Sequence, residues 1–405
     1  MGILTSMFTA VSGLNAYGNA LSVIGNNVAN VGTIGFKSSR ATFAELLSSN
    51  ALGSQQVGLG VYLNRVQGNF SQGSLNTTGN TLDLAIDGDG FFQVANAGGA
   101  SFFTRNGQFE MDNQGRVADP SGNLLQGFQA NAAGVITGTI GNITLTSTNS
   151  APQATSTAMV KANLDATATV PTAAFSVTDP SSYNFSTGMT MYDSLGSEHA
   201  LRFYFLKDAA ANTWQLYHQI DGGAATADTN LVFNANGSLA SGGTQSLSLA
   251  MSGGAATPQT VTFDFGTMTQ FGSASALLDQ TQDGFAPGSL QRMNVDSQGQ
   301  VVAQYTNGQT RVLAQLVLNR FTNPQGLVRA GDNLFAQSTD SGTPIFGTPS
   351  NNGLGRIVSG AVEQSNVDLG KEFVDMIVTQ RAFQANSRAI TTSDEMLQEL
   401  VNLKR

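Results

Sequence analysis

Residues 1–37 read MGILTSMFTAVSGLNAYGNALSVIGNNVANVGTIGFK, with no Asp, Glu, Lys, Arg or His before Lys37. Within that run Ile3, Met7, Ala10, Leu14, Tyr17, Leu21, Ile24, Val28 and Val31 recur at alternating spacings of four and three. Such an unbroken heptad row is the coiled-coil form of an amphipathic helix. The far end of the chain answers it. Leu369, Met376, Phe383, Ile390 and Leu397 fall every seventh residue, with Phe373 and Val401 on the adjoining row. Gln380, Ser387 and Asp394 fill the rest of that row, so the second stripe is narrower. All nine prolines lie between Pro120 and Pro349, so neither stretch is broken, and both read as helices.

Between the ends the period drops from seven to two. Arg202–Leu206 and Trp214–Ile220 suit short strands, and Asn307-Gly308 between two extended runs is a strong hairpin signal. A further device recurs: an Asp or Asn three residues before a glycine, then a β-branched residue or leucine two further on. It occurs at Asp112/Gly115/Val117, Asn131/Gly134/Ile136, Asn234/Gly237/Leu239 and Asp296/Gly299/Val301. Asx side chains favour turns and glycine supplies positive φ, so each copy reads as a hairpin corner. The middle is therefore expected to be all-β.

Composition sets the divisions. A terminal helical domain is expected from 1–37 and 365–405, joined through extended segments at 38–75 and 346–364, the first carrying a short helical candidate at Phe43–Leu47. A first β domain spans 76–145 and 286–345. The charge-poor, Ala/Thr/Ser/Gly-rich stretch 146–285 reads as an inserted outer β domain. The expected class is α+β and multidomain: a coiled-coil-like inner domain of terminal helices, and two mainly antiparallel all-β outer domains, the outermost inserted.

Of 405 residues 40 % are hydrophobic but only 11 % charged, against roughly 25 % in an ordinary globular chain. With 18 basic and 27 acidic residues the net charge is −9, which argues against tracking a nucleic-acid backbone. There is no cysteine, so disulfides, thiol nucleophiles and zinc–thiolate sites are excluded. His199 and His218 have no third histidine to form an imidazole cluster. No catalytic residue, cofactor or metal site is expected, and the reading is that the protein is not an enzyme. Asp87-Gly88-Asp89-Gly90 imitates a calcium loop, but Phe91 stands where a ligand belongs, so a turn leading into a buried Phe91-Phe92 pair is preferred. Trp214 and His218 read as core of the inserted domain. Asparagines 15, 19, 26 and 27 interrupt any secretory signal, and no run reaches the roughly 20 apolar residues of a membrane span.

The glycines at 2, 13, 18 and 25 each cost the first helix about 1 kcal/mol relative to alanine. Ordering each residue costs about 1–2 kcal/mol of backbone entropy, and the narrower second stripe cannot cover the first. The ends are therefore expected to be disordered in an isolated molecule and to become helical when copies associate.

Ser12-Gly13-Leu14-Asn15-Ala16, Asn26-Asn27-Val28-Ala29-Asn30 and Thr33-Ile34-Gly35-Phe36-Lys37 resemble the amino-terminal signature of the bacterial flagellar rod and hook axial proteins. Ser365-Asn366-Val367-Asp368-Leu369, Gln380-Arg381-Ala382-Phe383-Gln384-Ala385-Asn386 and Thr391–Leu397 resemble that family's other end. Met191–Gly196 and Phe321–Leu327, with the long insert, are similar to its hook branch. The resemblance implies a structural subunit exported unfolded and stacked into a curved, flexible extracellular tube that carries torque from rod to filament. It implies self-association through Ile3, Met7, Leu14, Leu21, Ile24, Val28, Leu369, Phe373, Met376, Phe383, Ile390 and Leu397. Asn26, Asn27, Asn30, Gly35 and Phe36 carry the motif. Phe43 and Leu47 match a short export-recognition pattern, whose simpler reading is one turn of buried helix. Implied partners are the hook cap protein, the distal rod, the hook–filament junction protein and the type III export apparatus. A distal rod subunit, which lacks the insert, and a secreted β-rich adhesin, which gives the heptads no role, are the alternatives.

Overall fold

The computed structural model describes residues 2–47, 58–131, 133–145 and 149–402, without the side chains of Ile3 and Leu400. Helix α1 (Gly2–Ala29) and helix α2 (Leu369–Asn402) stand where the two heptad rows lie. The chain divides into two units, Met1–Thr146 with Arg292–Ala303 and Thr310–Arg405, and Ser147–Gln291 with Gln304–Gln309.

In the first unit α1 and α2 pair antiparallel, Ser6 opposite Ser393 and Asn27 opposite Glu372. A ribbon follows α1: strand β1 (Ser39–Leu47) pairs antiparallel with strand β2 (Gly58–Gly68). The helical candidate at Phe43–Leu47 is thus corrected, because Phe43 pairs with Leu63 and Leu47 with Gly58 in this ladder. Five residues are too few to sustain a helix, and cross-strand pairing decides the conformation. Beyond the ribbon, strand Phe91–Ala95 pairs with Ser101–Thr104, Leu124–Ala130 and Leu318–Arg320. Phe91, Phe103, Phe321 and Phe335 are buried together, Phe103 meeting Phe321 edge-on at 4.8 Å. The two limbs of the chain are also stitched by pairing: Leu75–Thr77 with Ala361–Glu363, and Leu84–Asp87 with Arg356–Ser359.

In the second unit Phe185–Tyr192, Glu198–Lys207 and Thr213–Ile220 form an antiparallel sheet. A second sheet centres on Thr157–Asp165, parallel to Gln259–Asp264 and Thr269–Phe271 and antiparallel to Ala276–Gln282. Residues from both sheets share one core, including Val160, Phe203, Trp214 and Phe263. Trp214 is fully buried and donates from Nε1 to Gln270 Oε1 at 2.8 Å.

The Asx–Gly corners form as read. Gly115, Gly134, Gly237 and Gly299 have φ between +74° and +85°, and each donates its N–H to the Asx carbonyl three residues back at 2.9–3.0 Å. Asp119/Gly122 and Asp193/Gly196 build the same corner. Gly308, with φ +78°, turns the Asn307-Gly308 hairpin.

Candidate assembly surface

The covered face of α1 is made of small residues. Ala10, Gly13, Ala16 and Ala20 are buried, while Met7, Leu14, Tyr17, Leu21, Ile24 and Val28 are only half-buried. A Cβ on Gly13 would lie 2.7 Å from Asn386 Oδ1, so the Asn386 amide packs directly on the α1 backbone there. On α2 the inward positions are Glu372, Met376, Thr379, Phe383, Asn386, Ile390, Ser393 and Leu397, again at spacings of four and three. The second inward row is therefore polar and lies one residue before the row of Phe373 and Val401, both of which are exposed. Small hydroxyl and amide side chains suit a partner helix of alanine and glycine, where a phenylalanine would hold the backbones apart.

The lower end of the pair is hydrogen-bonded shut. Asn27 is buried; its amide donates to Glu372 Oε1 at 3.0 Å and Ser39 O at 2.7 Å and accepts from Ser39 N at 2.9 Å. Asn30 closes the helix end instead, its N–H and Nδ2 both reaching the carbonyl of Asn26. Asn26 itself is exposed. Burial raises the Glu372 carboxyl above its ordinary value, against the lowering effect of the Asn27 hydrogen bond. On the other flank Ser12 Oγ accepts from Val61 N at 3.1 Å, and Tyr17 lies 6.0 Å from Phe43, ring centre to ring centre. The ribbon is held to α1 by these contacts.

Gly35-Phe36-Lys37 joins helices to β body. Gly35 has φ +69°, and a Cβ there would meet Asn106 N at 2.4 Å; only glycine fits. Phe36 is buried under the guanidinium of Arg329, 5.4 Å from its ring centre. Lys37 Nζ bonds Glu363 Oε1 at 2.6 Å and Ser71 O at 2.8 Å, while Arg105 reaches the other Glu363 oxygen at 3.1 Å. Burial holds the Lys37 ammonium below its usual pKa, partly offset by Glu363. Asn366 accepts from Ser38 N and donates to the carbonyls of Asn69 and Ser71. Arg105 and Glu363 escape a reading by motif, since they are far from Lys37 in sequence; Lys37 itself closes the amino-terminal signature and ends a long uncharged run.

Part of what remains outward on the pair is apolar. Leu4, Phe8 and Val11 on α1 are exposed, Phe8 by 71 %. Leu369, Phe373, Val374, Ile377 and Val378 are exposed on α2, Phe373 by 50 %. Phe43, Leu46 and Leu47 extend that character onto β1. The half-buried Met376, Phe383, Ile390 and Leu397 line the seam, while Ile3 falls outside the described side chains. Arg381 and Arg388 are both exposed.

The histidines are separate and each holds its own aspartates. His199 lies between Asp221, 2.6 Å from Nδ1, and Asp193, 3.2 Å from Nε2; His218 Nδ1 lies 2.8 Å from Asp228. Among the described residues no three His, Asp or Glu side chains gather as metal ligands, and no helix is long and apolar enough to cross a membrane.

Four family models match the chain in order. They are Flagella basal body rod protein over residues 7–37, Flagellar hook protein FlgE/F/G D1 domain over 85–178, Flagellar basal body protein FlaE D2 domain over 163–285, and Flagellar basal body rod FlgEFG protein C-terminal over 358–403. The flagellar hook protein FlgE of Salmonella typhimurium is 40 % identical over 409 residues, covering 98 % of this chain and 100 % of that one. Its counterparts in Escherichia coli K12 and Treponema pallidum are 38 % and 33 % identical; the alignments cover 98 % and 100 % of this chain, and 99 % and 100 % of theirs. The crystal structure of Helicobacter pylori flagellar hook protein FlgE2 shares the fold, with a TM-score of 0.54 at 14 % identity over 70 % of this chain and 98 % of that one.

Proposed function

This chain belongs to the flagellar hook protein family, a structural subunit of the bacterial flagellar hook, and from that premise we propose how its two ends build the hook. Copies pack through the helix pairs formed by 1–37 and 365–405 into an inner tube, and neighbours cover the apolar rows that one molecule leaves exposed. The observation that carries this is the row Leu369, Phe373, Val374, Ile377 and Val378, unpartnered beside a seam already closed by α1. The seam residues Met7, Leu14, Leu21, Ile24, Val28, Met376, Phe383, Ile390 and Leu397 fix the pair that presents that row.

The β domains, 76–145 with 286–345 and 146–285, face outward and touch neighbours through amide and hydroxyl groups. Such contacts exchange through water more freely than a fixed salt-bridge register, which suits a tube that bends as it turns. The subunit has no catalytic role. It leaves the cell unfolded through the type III export apparatus, assembles outside beneath the hook cap protein, and sits between the distal rod and the hook–filament junction protein. Phe43–Leu47 is paired in β1 once folded, so any recognition of it by the export gate takes place before the ribbon forms. The rod-subunit and adhesin readings are not favoured, since the match to hook proteins covers 98 % of the chain, insert included.

Electron microscopy of negatively stained protein tests the proposal with Phe373→Asp. Wild type should form short curved tubes and the variant none, at unchanged β-domain melting. Tubes of normal length from the variant would overturn it.

A further inference from the structure

The chain contains four Asn-Gly pairs, at Asn106, Asn236, Asn307 and Asn352. Asparagine is thermolabile, and a following glycine leaves the next backbone nitrogen unshielded. For the side-chain amide to react with that nitrogen, the amide must swing free and the glycine N–H must be available.

Three of the pairs are tied. Asn106 Oδ1 accepts from Gln108 N at 3.1 Å, and Gly107 is wedged against the Leu84 carbonyl. Asn236 Oδ1 accepts from Ser238 N and Oγ, while Gly237 N donates to Asn234 O at 2.9 Å. Asn307 donates to Ala286 O at 2.8 Å and accepts from Gln309 N at 3.1 Å, and Gly308 N donates to Tyr305 O at 3.0 Å. Asn352 differs on every count. Both Asn352 and Gly353 are exposed, and among the described residues neither the Asn352 amide nor the Gly353 N–H has a hydrogen-bond partner. The turn is closed by Leu354 N to Asn351 O at 2.9 Å, a bond that does not involve the reacting atoms.

We propose that Asn352 is a site of spontaneous modification, deamidating in the folded protein ahead of the other three Asn-Gly pairs. The Gly353 nitrogen attacks Asn352 Cγ, a C–N bond forms, and ammonia leaves with the nitrogen's proton, giving a succinimide. Water then opens the ring at either carbonyl, to aspartate or to isoaspartate. The new carboxylate arises one residue before Gly353, which Arg320 approaches, its Nη1 lying 3.3 Å from where a Gly353 Cβ would stand. Isoaspartate also adds a main-chain carbon just before Leu354, which is buried, and Gly355, whose N–H is held by Asp89 O at 2.7 Å. The modification therefore alters charge and backbone length at one surface turn.

The test is incubation of the full-length protein at body temperature and neutral pH for weeks, with peptide mapping by mass spectrometry at intervals. Asn352 should convert several-fold faster than Asn106, Asn236 and Asn307, with isoaspartate as the main product. The same incubation in denaturant should bring the four rates together, because the ties are gone. Conversion of any other pair as fast as Asn352 in the folded protein would overturn the proposal. So would an equal lead for Asn352 in denaturant.

Discussion

Lys37 Nζ lies 2.6 Å from Glu363 Oε1, and neither side chain has any exposure to solvent. Because Arg105 shares the same carboxylate, one buried anion holds two cations at the point where both limbs of the chain leave the helices. Replacing Glu363 with Gln leaves the cations uncompensated, which costs about 3–5 kcal/mol for a buried pair. Chemical denaturation of Glu363→Gln, followed by tryptophan-independent circular dichroism, should show that loss in the first unit.

Gly35→Ala should be at least as damaging. A left-handed alanine costs about 1–2 kcal/mol before any clash. The added Cβ would also press on the backbone of Arg105 and Asn106, which cannot rotate away as a side chain would. The expected result is a lowered melting temperature together with loss of tubes.

Glu372→Gln should act in the opposite direction. The substitution keeps an oxygen to accept from Asn27 and removes a charge that burial disfavours. Because Glu372 is partly exposed, the gain is about a few tenths of a kcal/mol at neutral pH. It should vanish in acid, where the native carboxyl is itself protonated, and a thermal melt at two pH values reads the difference.

His199 gives the second unit a pH dependence. Burial alone would lower its pKa, but hydrogen bonds and charge from Asp221 and Asp193 outweigh that and raise it above the ordinary 6.5. A raised value means that the imidazolium's contribution is complete below 6.5 and is lost as pH rises through the folded-state value. Urea midpoints of wild type should fall over that window, and those of His199→Gln should not.

Helix content should rise on assembly. Neither end is covered by its partner alone, so we expect far-ultraviolet circular dichroism of dilute monomer to show less helix than the tube. Equal content in the two states would refute coupled folding of the ends.

The heptad rows made α1 and α2 legible because hydrophobic period reports directly on helical packing. The corners at Gly115, Gly134, Gly237 and Gly299 were legible because their chemistry is complete within four residues. Phe43–Leu47 was not: a five-residue run containing Phe, Leu and Leu fits a strand and a helical turn equally, and β2, which decides between them, comes eleven or more residues later. The inward row Glu372, Thr379, Asn386 and Ser393 hid for a different reason. Hydropathy finds apolar stripes, and here the partner's small residues make polar ones fit. Lys37 and Glu363 needed the third dimension.

The close approach at Gly13 and Asn386 has a mechanical corollary. Where a glycine takes a neighbour's amide group against its own backbone, little soft filling is left to compress, and we propose that each pair behaves as a stiff stave. On that reading, curvature of the barrel comes from staves shifting along their outer edges, leaving every stave unbent.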